Sequence, residues 1–271
     1  MKDENMKERI LKWIEETGYP LEMRSEKVIS NQGFRAWNSM QYKDDELSKI
    51  REIDLYATYS LSHEEVSLDI ALLIECKSSK KPFIQLANRN KHELDGCFHL
   101  GENYYTDNAV CSSLFASRTR KIELPGNSCS SFKMIQGFTN TDETIYKAGN
   151  TLTKSFRHFV QESDELSNDF ARDNFHLIYV PVLVIDSPMF KLSLDHENAT
   201  QLEEIQSSLL SFGFASQDDI STPFTFPVIH IDHLAEFALN VIKSGNSLLE
   251  GLVLNPKLQL KNIVKTKSKQ G

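Results

Sequence analysis

The sequence predicts an α/β protein built around a mixed β-sheet. In its second half, segments with the apolar spacing of helices alternate with short apolar runs that are typical of strands. One of those runs, FHLIYVPVLV at residues 175–184, is almost continuously apolar, which predicts a strand buried on both faces. In the first half, three strand-like segments follow one another between residues 34 and 78 with polar turns between them, which predicts a meander.

The elements before the meander follow from apolar periodicity and from helix start and stop signals. The pattern of residues 3–17 predicts a first helix whose Ile10, Leu11 and Ile14 share one face. Pro20 suits the first turn of a second helix.

The later elements are predicted in the same way. They comprise, in order, a helix at 142–164, strands at 175–184 and 189–194, a helix at 202–210, a strand at 227–231 and a final helix from residue 233. The strand at 189–194 is predicted to lie at an edge of the sheet. His230 and His233, on either side of Asp232, are predicted to have a structural role.

The chain is expected to form one domain over residues 1–255, because it has no internal repeat and no linker rich in Pro or Gly. Residues from about 86 to 140 lack a regular pattern and are rich in Asn, Ser, Cys and aromatic residues, which predicts a long insertion over the end of the sheet that could include short strands. Residues 256–271 contain five lysines and no acid, so they are predicted to be a flexible basic tail. That tail is either simply solvated or an arm that contacts nucleic acid.

Composition limits the classes of partner. The net charge of −8 disfavours binding of nucleic acid by the whole surface, so such binding would need local basic patches or metal ions. No apolar run reaches the roughly 18 residues of a membrane span, and the N-terminal sequence MKDENMKERI lacks the apolar core of a signal peptide. We therefore expect a cytoplasmic protein with no membrane partner.

The chemistry is expected in the stretch from residue 50 to residue 83, which is predicted to form two strands joined by a polar turn. Alternation along the first strand puts Ile53, Leu55 and Ala57 on one face and Asp54 on the other.

The second strand carries a pair of charges after an apolar run. Glu75 and Lys77 are two residues apart, so they project from the same face, roughly 6.5–7 Å apart along the strand. If the two strands pair through their polar turn, Asp54 lies beside them. Two carboxylates and an ammonium group would then converge at one end of the sheet.

The simplest alternative is an exposed ion pair on a strand. The ALLI run that precedes Glu75 argues against it, because it predicts a central, buried strand on which unpaired charges are costly. Two buried carboxylates side by side repel each other, and a divalent cation commonly makes such an arrangement stable. The sequence therefore predicts a cation-dependent site at Asp54 and Glu75.

The chain resembles the PD-(D/E)xK nuclease superfamily at this point. The resemblance rests on Asp54, a spacing of 20 residues, and the triplet Glu75-Cys76-Lys77, after a helix that carries a glutamate. It covers roughly residues 8–85, including the segments GYPLE, REIDLYA and LLIECKSSKKPF. Ile53 stands where the strict motif has a proline, which is a common relaxation.

This resemblance implies a restriction-endonuclease-like fold and a hydrolase that cuts phosphodiester bonds. Asp54, Glu75 and the backbone carbonyl of Cys76 would bind Mg²⁺, for which Mn²⁺ could substitute. Lys77 would orient or activate the attacking water, and Glu22 would supply the helix carboxylate that completes the site. The chemistry fits, since carboxylate-bound Mg²⁺ supplies a nucleophilic water and charge stabilisation on the phosphate.

The helix carboxylate is the least determined member of the set. Glu15, Glu16 and Glu26 are neighbouring alternatives to Glu22.

Lys80 and Lys81 follow the second strand and are expected to contact phosphates at the end of the sheet. A solvated turn of serines and lysines explains them equally well.

The leading hypothesis is thus a Mg²⁺-dependent endonuclease that acts on DNA, with RNA as the less favoured substrate. By analogy with its architecture, it would belong to a restriction or phage-defence system and could work with a partner subunit or as a homo-oligomer. The alternative is a catalytically silent module of the same fold that binds nucleic acid or protein. The complete set of Asp54, Glu75 and Lys77 argues against that alternative.

Overall fold

The computed structural model of the chain describes residues 2–44, 46–64, 66–87, 97–99, 104–105, 121–139, 143–169, 175–212 and 224–253. The helices found there are α1 (Lys2–Glu15), α2 (Tyr19–Asn31), α3 (Glu143–Asp169) and α4 (Leu234–Val253). Among these described helices, none has both the length and the apolarity that a membrane span requires.

The strands are numbered in chain order. They are β1 (Arg35–Asp44), β2 (Lys49–His63), β3 (Val66–Ser78), β4 (Phe83–Ala87), β5 (Cys97–His99), β6 (Tyr104–Tyr105), β7 (Lys121–Glu123), β8 (Ser128–Gln136), β9 (Phe175–Asp186), β10 (Met189–Leu194), β11 (Thr200–Glu204), β12 (Ser207–Phe212) and β13 (Phe224–His230).

The strands form a large mixed sheet in the order β1-β2-β3-β9-β13-β12-β8-β4-β10-β11, with β6 added beside β9. The predicted meander is confirmed, since β1, β2 and β3 pair antiparallel in sequence order. The apolar run predicted to be a buried strand is β9, which pairs in parallel with both β3 and β13. The protein is therefore an α/β protein with a mixed sheet flanked by helices, as predicted.

The sheet curls back on itself, because two neighbouring strands bend together. Along the chain, β3 is followed by β4, and β9 is followed by β10. β3 pairs in parallel with β9, and β4 pairs in parallel with β10. Hydrogen bonds hold the bends side by side: the Ser79 backbone N–H donates to Ser187 Oγ at 2.9 Å, and the Phe83 backbone N–H donates to the Pro188 carbonyl at 2.9 Å. Because β3 and β13 both pair in parallel with β9, the carboxyl ends of these three strands meet at one edge of the sheet.

Two hydrophobic cores lie on the two sides of the sheet. The α4-side core contains residues of α2 and α4 packed on even-numbered positions of β3, such as Leu72 and Ile74. The α3-side core contains residues of α3 packed on odd-numbered positions, such as Ala71 and Leu73. Because β3 is covered on both sides, a polar group at its carboxyl end is largely removed from water.

The predicted helix at 202–210 is wrong. These residues belong to β11 and β12, which are separated by Ile205 and Gln206. Ser207, Ser208, Leu209 and Leu210 are all buried, because β12 lies between β13 and β8 with both faces covered. Burial on both faces removes the alternation that distinguishes a strand from a helix in a short apolar segment.

The insertion predicted at about 86–140 is only partly described. The described part includes β8, which pairs with β4 and β12 and is therefore an integral strand of the sheet rather than a cover over its end. The strand predicted at 189–194 forms as β10, but it lies inside the sheet between β4 and β11 instead of at the edge. The tail predicted at 256–271 lies outside the described residues.

The first helix forms as predicted, but its apolar face is largely uncovered. Met6, Ile10, Leu11 and Trp13 are each about half exposed, whereas α2 buries Leu21, Ser25 and Ile29. The second helix, rather than the first, thus packs against the meander.

Candidate active site

The candidate site begins where β2 departs from regular strand geometry. Ile53 packs in the α3-side core, whereas Leu55 packs in the α4-side core, so the predicted placement of both residues on one face is wrong. An ideal strand puts residues i and i+2 on the same face. The departure is centred on Asp54. The β1–β2 ladder has no pair between Asp54 and the opposite residue, Ser39, and the Ser39 backbone is in the left-handed region with a φ of 52°.

This departure turns the Asp54 carboxylate toward β3. Asp54 Oδ2 accepts a hydrogen bond from the backbone N–H of Cys76 at 2.7 Å. The β2–β3 ladder itself starts only at the pair Leu55–Ile74, so the carboxylate takes the place of the next backbone acceptor. The two strands separate at this point, and their separation opens the site.

Glu75 and Lys77 project from β3 into this opening, as their spacing predicted. Lys77 Nζ donates to Glu75 Oε1 at 2.6 Å and to the Cys76 carbonyl at 3.0 Å, and it lies 3.9 Å from Asp54 Oδ2. Glu75 is only 6% exposed, whereas Asp54 and Lys77 side chains are each 24% exposed. The structure thus brings Asp54, Glu75 and Lys77 together at the carboxyl end of β3.

These contacts do not satisfy all of the hydrogen-bonding capacity of the Glu75 carboxylate. Its Oε2 is buried and has no hydrogen-bond partner within the described part of the chain. Burial raises the pKa of Glu75 to about 7; Lys77 opposes this shift and the Asp54 carboxylate adds to it. Glu75 therefore sits in a place that favours either a proton or a further cation.

Asp54 and Lys77 respond to the same surroundings. Burial raises the pKa of Asp54, although the Lys77 ammonium acts in the opposite direction. Burial alone would lower the pKa of Lys77, but the Glu75 and Asp54 carboxylates outweigh it and raise that pKa. Lys77 therefore stays protonated at neutral pH and acts as a hydrogen-bond donor.

The oxygens around Lys77 Nζ are the ones that the resemblance implies as cation ligands. Asp54 Oδ2, Glu75 Oε1 and the Cys76 carbonyl surround this ammonium, which supplies the positive charge at that point. Within the described ranges, no three His, Cys, Asp or Glu side chains come together as a metal site. Mg²⁺, however, is commonly bound through only one or two carboxylates with several waters. The carboxylates of Asp54 and Glu75, the latter with its unpartnered Oε2, and the Cys76 carbonyl fit such an ion.

Of the candidate helix carboxylates, Glu22 is the one whose charge interacts with this site. Burial and the Asp54 charge raise the pKa of Glu22, and the Lys77 charge lowers it. Glu15 and Glu16 are exposed on or just after α1, and Glu26 accepts a hydrogen bond from Ser30 Oγ at 3.0 Å. The structure therefore favours Glu22 over the three alternatives.

The two lysines after β3 lie at the same edge of the sheet. Lys80 and Lys81 are exposed, and Lys81 Nζ donates to the backbone carbonyl of Phe138 at 3.0 Å. Lys80 lines a cavity between the carboxyl ends of β9 and β13. Lys80 is thus the better placed of the two for a ligand that enters the site.

Sequence reasoning missed two charged residues beside the site. Arg24, on α2, forms an ion pair with Asp186 at the end of β9, which anchors α2 next to the carboxyl end of β3. The available signals were the position of Arg24 two residues after Glu22 and that of Asp186 directly after the buried apolar run. His230 and His233, predicted to be structural, also line the cavity at this edge.

Known proteins give no independent indication of family. No protein-family model, no curated protein and no solved structure matches the chain. A function for the chain has to be argued from the geometry and electrostatics of the site itself.

Proposed function

We propose that this protein is a metal-dependent nuclease that hydrolyses phosphodiester bonds in DNA, with Asp54, Glu75, Lys77 and Glu22 as its active-site residues. The observation that carries the proposal is Glu75, a buried carboxylate with one unpartnered oxygen, placed beside Asp54 and Lys77. A structural ion pair has no need of that excess negative charge, whereas a cation site requires it.

A restriction-endonuclease-like arrangement of the fold is part of this proposal. It is supported by a glutamate-bearing helix followed by a meander, with the Glu75-Cys76-Lys77 strand paired in parallel to β9. The residue spacing that the resemblance rests on also brings its members together at one end of that strand.

In this mechanism Asp54, Glu75 and the Cys76 carbonyl would hold Mg²⁺, or Mn²⁺ in its place. The bound ion supplies a water of lowered pKa and charge stabilisation on the phosphate. Lys77 keeps its proton, so it donates hydrogen bonds to the attacking water or to the phosphate oxygens and stabilises the negative charge that develops there. Glu22 adds negative charge that holds Lys77 and the cation in the cleft.

The substrate must be attracted locally, because the chain as a whole carries a net charge of −8. Lys80 and Lys81 are exposed beside the site and would contact the phosphates. A partner subunit or a second copy could supply further affinity, as in the restriction and phage-defence systems proposed by analogy. Cys76 and Cys129 are buried and belong to no disulfide, which fits a protein of the reducing cytoplasm.

A catalytically silent module that binds nucleic acid or protein remains the second candidate. The observation in its favour is that Lys77 already donates hydrogen bonds to Glu75 and to the Cys76 carbonyl. The Lys77 ammonium thus balances part of the negative charge of the site without a metal ion.

Cleavage of labelled single- and double-stranded DNA and RNA tests the proposal. Purified protein is incubated with Mg²⁺, Mn²⁺ or EDTA, beside Asp54→Ala and Lys77→Ala. We expect cleavage that EDTA abolishes and that falls by at least about 10²-fold in both variants. Equal cleavage by wild type and variants would reject the site, and binding without cleavage under all conditions would favour the silent module.

A further inference from the structure

A cavity of about 390 Å³ lies beside the candidate active site. Its walls come from the bend after β3, the end of β9 and its bend, the link between β11 and β12, and the turn at His230–His233. Small-ligand sites in proteins commonly measure about 300–1,000 Å³, so the cavity has room for a nucleotide unit.

The strand register relates this cavity to the candidate active site. Lys77 on β3 lies opposite Ile185 on β9, and Ile185 lies opposite His230 on β13. Residues opposite each other in a ladder project from the same face, and neighbouring strands are about 4.8 Å apart. Lys77 and His230 therefore lie in one row on the same side of the sheet, about 10 Å apart.

The side chain of His230 lines the cavity and is 22% exposed. Its Nδ1 accepts a hydrogen bond from the Asp232 backbone N–H at 3.4 Å and lies 3.5 Å from the Asp232 carboxylate. In the tautomer that this hydrogen bond requires, and in the protonated form as well, Nε2 carries a hydrogen. His230 thus offers an N–H donor, and the Lys80 ammonium on the neighbouring wall offers a second one.

The carboxylates of the cavity complement these donors. Asp186 is neutralised by its ion pair with Arg24, which leaves Glu204 and Asp232 as the acidic groups of the lining. Donors suit the oxygens of a phosphate, and carboxylates suit the N–H groups of a base edge or the hydroxyl of a sugar. A ligand that carries both an anionic phosphate and hydrogen-bond donors matches this lining better than a simple anion does.

We propose that this cavity binds the nucleotide unit next to the bond that is cleaved, with His230 and Lys80 contacting its phosphate. The inference rests on the proposed function for the placement of the cleaved bond, but the binding site itself is independent of turnover. The phosphate belongs either to a nucleic-acid strand or to a free nucleotide, and both sources share the same chemistry.

Equilibrium binding in EDTA separates this inference from cleavage. The probes are short fluorescein-labelled DNA oligonucleotides, single- and double-stranded, read by anisotropy, and unlabelled deoxynucleoside monophosphates serve as competitors. The variants are His230→Gln and Lys80→Ala. The matched controls are His196→Gln and Lys243→Ala, which change the same residue types at exposed positions on the β10–β11 turn and on α4.

We expect each cavity variant to bind the oligonucleotide about tenfold more weakly than wild type, and each control within about twofold of it. Lys80→Ala should also lower the slope of log affinity against log salt by about one. Monophosphates that compete in wild type but not in the variants assign the site to free nucleotides as well as to a strand.

Wild-type affinity in both cavity variants overturns the inference, and so does a wild type that binds none of these probes. Normal cleavage with wild-type binding in both variants leaves the proposed function intact while rejecting the cavity. Weakened binding in a protein that never cleaves supports the cavity while rejecting the nuclease.

Discussion

Two buried carboxylates on the α3 side of the sheet differ in how completely they are compensated. Asp44 is 1% exposed; its two oxygens accept hydrogen bonds from Arg51 Nε at 2.7 Å, Lys154 Nζ at 3.1 Å and the Leu47 backbone N–H at 3.3 Å. Glu75 is similarly buried at 6%, but Lys77 contacts only one of its oxygens and the other has no described partner.

The pKa values of the two groups reflect this difference. Burial acts to raise the pKa of Asp44, but its hydrogen bonds to Lys154, Arg51 and Leu47 outweigh burial and lower that pKa. Burial dominates at Glu75 and raises its pKa to about 7. Residue type and burial therefore do not separate a structural ion pair from a candidate site, whereas unmet hydrogen-bonding capacity does.

The largest effect expected from this comparison is on stability. Asp44→Asn should lower the free energy of unfolding at pH 7.5 by about 3 kcal/mol, because it removes the buried negative charge shared by Arg51 and Lys154, and only Lys154 keeps another acidic partner, Glu46. Glu75→Gln should change it by less than about 1 kcal/mol, because the lost contact with Lys77 is offset by removal of an under-compensated charge. Urea unfolding of both variants measures the difference. An equal loss in both would make Glu75 a structural ion pair.

A smaller effect is expected on the pH dependence of stability. The pKa of Glu75 is about 7 when folded and near 4.5 when unfolded, so the folded state binds the proton more tightly. Stability from this group is therefore lost as pH rises through this range, by about 2.5 kcal/mol between pH 5 and pH 8.

His176 acts in the opposite direction over part of this range, because burial lowers its pKa and stability rises as it loses its proton. The quantity to compare is thus the difference in unfolding free energy between wild type and Glu75→Gln, because the contribution of His176 is the same in both proteins. As the pH rises from 5 to 8, the unfolding free energy of wild type should fall relative to that of Glu75→Gln. Parallel curves would contradict the raised pKa of Glu75.

The smallest of these effects concerns Lys77, whose ammonium lies among the oxygens that would hold a cation. Lys77→Met removes this charge and keeps much of the aliphatic chain, so the affinity for Mn²⁺ should rise by about tenfold even though cleavage is lost. Mn²⁺ titration followed by electron paramagnetic resonance measures this change, with Lys154→Met as the control at the Asp44 cluster. A weaker affinity in Lys77→Met would show that Lys77 supports the cation site instead of competing with it.

The parts of the fold that the sequence predicted are those with clear local patterns. The meander and β9 were predictable from alternation and from an unbroken apolar run, and α3 from the spacing of Ile145, Ala148, Leu152 and Phe159, all of which are buried. The strand β12 was missed because burial of both faces at Leu209 and Leu210 erases the period of a strand. The strand β11 was missed because all five of its residues are exposed, so it has no alternation of buried and exposed positions either. The curl of the sheet was also missed, since it depends on contacts between distant bends such as Ser79 with Ser187.

The shared face of Glu75 and Lys77 was predictable because a two-residue period fixes it, and the short turn between β2 and β3 made it predictable that Asp54 lies beside them. The distortion of β2 at Asp54 was not predictable, since it accompanies a left-handed backbone conformation at Ser39 on the neighbouring strand that no local sequence signal marks. The difference between Asp44 and Glu75 was likewise hidden in the sequence, because the partners of Asp44 lie as far away as Lys154 on α3.

Equilibrium binding of Mn²⁺ to wild type, Glu75→Gln and Asp44→Asn at pH 7.5 tests the central claim most directly. We expect wild type to bind the ion, Glu75→Gln to lose at least about tenfold in affinity, and Asp44→Asn, at a temperature where it remains folded, to match wild type within about twofold. Wild type that binds no Mn²⁺, or Glu75→Gln that binds it as tightly as wild type, would contradict the assignment of Glu75 as a cation ligand.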